Sequence, residues 1–224
     1  MVEAYLAELA ACLEGRVEAA WVVGSGALGD FDPARSDVDV QAVTHTKPPR
    51  CELEALAAAL TAVPCPVRGL EFVLYARDEI PRFALNLNTG PGMDHHEGYD
   101  PDAEAGFWFT LDVAIARQHA RPLLGPRPHT ILPELPSEVV LAAAQESLAW
   151  WRGYDGAQAI LAGCRAWAWA SDGGWRSKGD AAQWAIERLD DPAPVHAALA
   201  ARSGDPGPTP EQVDALLSVV AADL

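Results

Sequence analysis

Asp37 and Asp39 stand one residue apart in the run Ser36-Asp37-Val38-Asp39-Val40, and a strand points alternate residues to the same face. The spacing predicts two carboxylates side by side. Their mutual repulsion calls for a cation, and carboxylate oxygens are the ligands that hard divalent ions prefer, so Mg²⁺ is the natural occupant. Just upstream, Val23-Gly24-Ser25-Gly26-Ala27-Leu28-Gly29 carries the glycines of a tight turn. Its backbone N–H groups, the Ser25 hydroxyl and the N-terminus of a following helix can hold phosphate oxygens. A third acid, Glu71, lies among the apolar Leu70, Phe72, Val73 and Leu74, where an unpaired carboxylate is costly. If its strand neighbours the one bearing Asp37 and Asp39, Glu71 completes a metal site or acts as a general base on a hydroxyl. Ser36, beside the pair, either donates to a phosphate or simply starts the strand. The competing reading makes Asp37 and Asp39 surface-loop acids, the glycine run a plain turn, and Glu71 an edge-strand acid facing solvent.

The elements that must position these groups are legible from periodicity. Tyr5, Leu6, Leu9 and Leu13 share one face of a helix over residues 3–14, with Gly15 as its stop. Residues 17–23, 36–43 and 69–76 read as strands. The Ala/Leu-rich stretch 51–62 reads as a helix ended by Pro64 and Pro66. Residues 83–88 read as a further strand, 89–106 as a Gly/Pro/His-rich loop, and 107–120 as a helix. Strands alternating with helices predict an α/β domain with a mixed sheet, assigned to residues 1–132. Beyond Pro133 and Pro136 every periodic segment is helical, at 137–152, 156–171, 178–189, 192–202 and 210–223. Residues 133–224 are therefore expected to form an all-α helical bundle.

Composition bounds the partners. The 224 residues hold 16 Lys and Arg against 32 Asp and Glu, a formal net charge of −16. Such a surface repels nucleic-acid phosphates and anionic membranes, and it favours small cationic molecules. With no apolar run long enough to span a bilayer and no basic-then-apolar leader pattern, the expectation is a cytoplasmic protein, working as a monomer. Cys12, Cys51, Cys65 and Cys164 contain no close pair, so neither a disulfide framework nor a zinc site is written in them. Asp94-His95-His96-Glu97 has the residue types of a transition-metal site without the spacing, and reads better as an acidic acceptor loop. The tryptophans crowded into the helical half, Trp150, Trp151, Trp167, Trp169, Trp175 and Trp184, read chiefly as core.

The order Gly-Ser, then Asp-x-Asp, then a later strand acid resembles the nucleotidyltransferase superfamily, which transfers a nucleoside monophosphate from a nucleoside triphosphate to a hydroxyl. Within it the chain looks most like the streptomycin/spectinomycin adenylyltransferases. The likeness continues through Ile160-Leu161-Ala162-Gly163-Cys164-Arg165-Ala166-Trp167 and Lys178-Gly179-Asp180-Ala181-Ala182-Gln183-Trp184. By this resemblance ATP is the co-substrate and two Mg²⁺ ions are held by Asp37, Asp39 and Glu71. Gly24, Ser25 and Ser36 would contact the nucleotide, and Arg165 and Lys178 would reach the triphosphate from the second domain. Asp155 falls where these enzymes set an aspartate against a cationic drug. Gln158 stands where some members have a histidine, and Asp94 lies in the segment that replaces their acceptor loop. The activity implied is AMP transfer from ATP to a hydroxyl of an aminoglycoside or aminocyclitol antibiotic. The alternatives are the same chemistry on a lincosamide or a protein hydroxyl, or a non-catalytic, antitoxin-like binding module.

Overall fold

The computed structural model of the chain describes residues 1–153 and 155–224. The chain divides into two compact units, Met1–Leu135 and Pro136–Leu224.

The first unit is built on one mixed sheet. Its strands are β1 (Ala19–Val22), β2 (Val38–Thr44), β3 (Leu70–Ala76), β4 (Phe83–Thr89), β5 (His96–Gly98) and β6 (Arg121–Leu124), in the spatial order β5-β4-β3-β2-β1-β6. β2 and β3 run parallel, and the other neighbours pair antiparallel. The parallel pair is joined through helix α3 (Arg50–Thr61), the crossover that parallel strands require. The alternation of β2 and β3 sends Val38, Val40 and Ala42 with Leu70, Phe72 and Leu74 to one face. There they pack against Tyr5, Leu6, Leu9 and Leu13 of α1 (Val2–Leu13) and Leu53, Leu56 and Leu60 of α3. Val43, Val73 and Tyr75 go to the opposite face, where Phe109, Val113 and Ala116 of α4 (Phe107–His119) cover them. Both faces of the inner strands are thus buried, and polar side chains surface only where the helices end.

Three local features of this unit differ from the sequence expectation, the first being β6, a strand paired antiparallel with β1 where no strand is expected. The glycine-rich stretch after β1 is a short helix, α2 (Gly24–Leu28), rather than an open turn, and Gly29 closes it in the left-handed conformation at φ 78°. The stretch expected as a loop from residue 89 contains β5, a short strand that hydrogen-bonds antiparallel to β4.

The second unit is entirely helical in its described elements: α5 (Ser137–Arg152), α6 (Gly156–Asp172), α7 (Lys178–Ile186), α8 (Ala193–Ala201) and α9 (Pro210–Asp223). Its core gathers Ile160, Leu161, Cys164 and Trp167 of α6 with Ala181, Ala185, Val195, Val213, Leu217 and Val220. α6 is the central element, touching α5, α7, α8 and α9. Small residues make that possible: a Cβ at Gly163 would stand 2.9 Å from Cδ2 of Leu217 on α9. The α7 helix stops at Ile186, short of residue 189, because the chain turns with Arg188 and Leu189 donating to the carbonyl of Ala185. Among the described residues no helix is long and apolar enough to cross a membrane.

Candidate active site

Two of the three acids expected from the sequence stand side by side on the parallel pair. Asp39 of β2 is in direct register with Glu71 of β3, so both project from the same sheet face on adjacent strands, about 4.8 Å apart in the pairing direction. Asp37 precedes β2 by one residue. The row continues across the sheet, since Glu71 faces Asn88 on β4 and Asn88 faces His96 on β5. Asp39, Glu71, Asn88 and His96 therefore line a single polar track over four strands. Glu71 is exposed although its strand is internal. It is the second residue of β3, and that exposure spares it the burial cost expected from its apolar neighbours.

The end of β1 supplies the fourth side of the site. The N–H of Val23 donates to the carbonyl of Asp39 at 3.0 Å, which brings the start of α2 directly against the Asp39 side chain. A Cβ at Gly24 would run into the Asp39 carboxylate, and Gly24 also holds a positive φ of 56°. Glycine is thus needed twice, for space and for conformation. Ser25 follows as a half-buried residue at the first turn of α2, its carbonyl accepting from Asp30 N–H at 3.2 Å. Ser36 caps the preceding bend: its hydroxyl accepts from Asp32 N–H at 3.0 Å, and its own N–H donates to the Asp32 carbonyl at 2.7 Å.

A cation missed by sequence reasoning completes the picture. Nη1 of Arg68, at the entrance to β3, donates to Oδ2 of Asp37 at 2.6 Å. With Arg68 on Asp37, no three His, Cys, Asp or Glu side chains among the described residues are drawn together as a ready-made metal cluster. The donor set nevertheless suits Mg²⁺ in kind, because it offers only hard carboxylate oxygens, two of the groups in register and the third one residue ahead of β2.

The acidic-histidine loop is split by strand alternation. His95 lies 3.1 Å from Glu97, which also accepts from the Tyr99 hydroxyl at 2.5 Å, on the side where the Arg50 guanidinium covers the Tyr99 ring. That hydroxyl holds the Glu97 carboxyl below its usual range, while burial and Glu97 push Tyr99 up to about 12. His96 turns the other way, to within 3.1 Å of Glu104, which accepts from Asn86 Nδ2 at 2.7 Å. One ion could not be shared by both histidines. Asp94 is exposed at the tip between β4 and β5.

In the helical unit the expected residues are partly engaged with one another. Nζ of Lys178 donates to Oε1 of Gln158 at 2.7 Å, and Nε of Arg165 donates to the carbonyl of Arg176 at 3.0 Å. Asp155 is the N-cap of α6, its Oδ1 accepting from the N–H groups of Ala157 and Gln158 at 2.9 and 3.1 Å. A pocket of about 240 Å³ opens beside it, lined by Gly156, Gln158, Arg202 and Pro208 among others. Of the tryptophans, Trp167 and Trp175 are buried and Trp150 is 40% exposed.

Comparison with known proteins bears on both units. Residues 130–223 match the family described as aminoglycoside adenylyltransferase, C-terminal domain. Among solved structures the chain is similar to spectinomycin adenyltransferase AAD(9) from Enterococcus faecialis, crystallised with ATP and spectinomycin. The TM-score is 0.72 at 17% identity, covering 99% of this chain and 97% of that one. No curated protein matches the chain by sequence. The resemblance read from the sequence and the nucleotidyltransferase fold of sheet domain plus helical domain both stand.

Proposed function

We propose that the chain transfers AMP from ATP to a hydroxyl of a small cationic acceptor, of the aminoglycoside or aminocyclitol antibiotic type, releasing pyrophosphate. The observation that carries this reading is the register pair Asp39–Glu71 beside Gly24, in a chain whose residues 130–223 match the adenylyltransferase C-terminal domain. Asp37, Asp39 and Glu71 are the residues that would hold Mg²⁺, which when bound neutralises phosphate charge and aligns the α-phosphorus for in-line attack. Glu71, the most exposed of the three acids, takes the proton of the acceptor hydroxyl. The hydroxyl oxygen forms its bond to the α-phosphorus as the bond from that phosphorus to the bridging oxygen breaks, and that oxygen leaves with pyrophosphate. Gly24, Ser25 and Ser36 contact the nucleotide, and Arg165 and Lys178 offset triphosphate charge that two metals alone leave uncompensated. Asp94, Asp155 and Gln158 serve the acceptor, whose ammonium groups suit a chain of net charge −16.

The test is incubation of the purified protein with α-labelled ATP, Mg²⁺ and a panel of streptomycin, spectinomycin and lincomycin. Labelled aminocyclitol or aminoglycoside with stoichiometric pyrophosphate is the expected product. Asp39→Asn and Glu71→Gln should each lower kcat/KM by at least about 100-fold with the circular dichroism spectrum intact. Label on lincomycin or on the protein itself would move the acceptor class. Pyrophosphate release unchanged in Asp39→Asn would overturn the mechanism.

A further inference from the structure

Arg68 has an anchored backbone and a half-exposed side chain. Its carbonyl accepts from Gly92 N–H at 2.8 Å, and a Cβ at Gly92 would stand 2.8 Å from the Arg68 Cγ, so the β4–β5 turn lies along the arginine stem. The next carbonyl, of Gly69, accepts from Val38 N–H at 2.8 Å, which ties this bend to the strand that Asp37 introduces. The guanidinium itself is less confined. The Arg68 side chain is 49% exposed, whereas that of Asp37, which it grips at 2.6 Å, is 12% exposed. A planar, permanently charged guanidinium on a carboxylate is a strong charge-assisted contact. It is made to Oδ2 of Asp37, an oxygen of the carboxylate that divalent binding requires.

We propose that Arg68 is the resident counter-ion of Asp37, holding that carboxylate oriented until a divalent ion displaces the guanidinium, and that it thereby sets the metal affinity of the site. This rests on reading Asp37, Asp39 and Glu71 as the metal-binding carboxylates. Arg68 is a positioning residue: it acts through Asp37. Half-exposed ion pairs are screened by solvent, so relief of the competition is modest, about two- to fivefold in dissociation constant.

Mn²⁺ titration of the full chain without nucleotide, read by electron paramagnetic resonance of the free ion, measures this directly. Arg68→Gln and Arg68→Met, the latter keeping an apolar stem against Gly92, should bind Mn²⁺ about two- to fivefold more tightly than wild type. Arg68→Lys, which keeps the charge, should stay near wild type. Combined with Asp37→Asn, the Arg68→Gln change should have no effect on Mn²⁺ binding. Equal affinity in wild type, Arg68→Gln and Arg68→Met, with binding still abolished by Asp39→Asn, would overturn the counter-ion role and leave the carboxylate reading standing. So would a lysine variant that tightens as much as the glutamine variant. Mn²⁺ binding insensitive to Asp39→Asn in every form would overturn the carboxylate reading together with the inference.

Discussion

At the scale of single residues, Gly24 is the most constrained position in the candidate site, because its φ of 56° and the Asp39 carboxylate both exclude a side chain. Gly24→Ala is expected to cost about 1–2 kcal/mol for the left-handed backbone alone. Because the new methyl must also displace the Asp39 carboxylate, which flanks Glu71 in register, AMP transfer should fall further than the stability loss explains. Denaturant unfolding set against kcat/KM checks both, and a variant of unchanged activity would show that Asp39 tolerates the shift. Glu71 stood out beforehand as an acid in an apolar strand, but its pairing with Asp39 depended on β2 and β3 being neighbours, which alternation does not fix and the sheet order supplies. Arg68 was not legible. Its partner lies 31 positions away, and nothing in local spacing says where a long, rotatable side chain will put its charge. Nor was the contact in which Gln158 accepts from Lys178 Nζ. Residue type alone does not reveal which neighbour claims a side chain first.

Among elements, the turn between α6 and α7 governs how Arg165 is presented. Arg176 holds Asp172 through two contacts, at 2.6 and 3.1 Å, and the same carboxylate accepts from Gly174 N–H at 3.0 Å. The Arg176 carbonyl in turn receives Arg165 Nε. The arginine contact lowers the Asp172 carboxyl from 3.8 to about 2. A depressed carboxyl stabilises the folded state above its unfolded pKa, and that contribution fades as pH falls through the folded value. The melting-temperature difference between wild type and Asp172→Asn should accordingly be full at neutral pH and shrink on acidification from about pH 4 toward 2. A difference that stays constant over that interval would detach Asp172 from the turn. Long periodic elements such as α1 and α6 were readable because many positions vote for the same face. α2 and β5 were not: the first is glycine-rich, which opposes helix formation until the packed end of β1 imposes it, and the second is too short to display alternation. Their formation is decided by neighbours distant in sequence.

For the molecule as a whole, charge sets the terms on which a substrate arrives. A net charge of −16 concentrates small cations near the surface over a distance set by ionic strength. Raising NaCl from about 0.05 to about 0.5 M is expected to increase KM for a cationic acceptor roughly three- to tenfold while leaving kcat nearly constant. An acceptor KM indifferent to salt would mean that surface charge plays no part in capture. The division into a sheet unit and a helical unit was visible in the sequence, because the period changes from two to 3.6 across a proline-rich stretch. The boundary itself, between Leu135 and Pro136, reflects how Leu135 packs with the sheet-side core, which no periodicity encodes.

Under the proposed function Asp155 would carry two employments at once: it closes the first turn of α6 through Ala157 and Gln158, and its carboxylate would be the one offered to a positively charged acceptor. On that reading, changes in acceptor preference that pass through this position are filtered by folding. Asn, Ser or Thr could alter the charge and still accept the amide protons, whereas Ala or Val would unseat the helix along with the ligand. If the proposed function holds, variants selected on new acceptors should find the first group accessible in one step and reach the second only after compensation elsewhere in the bundle.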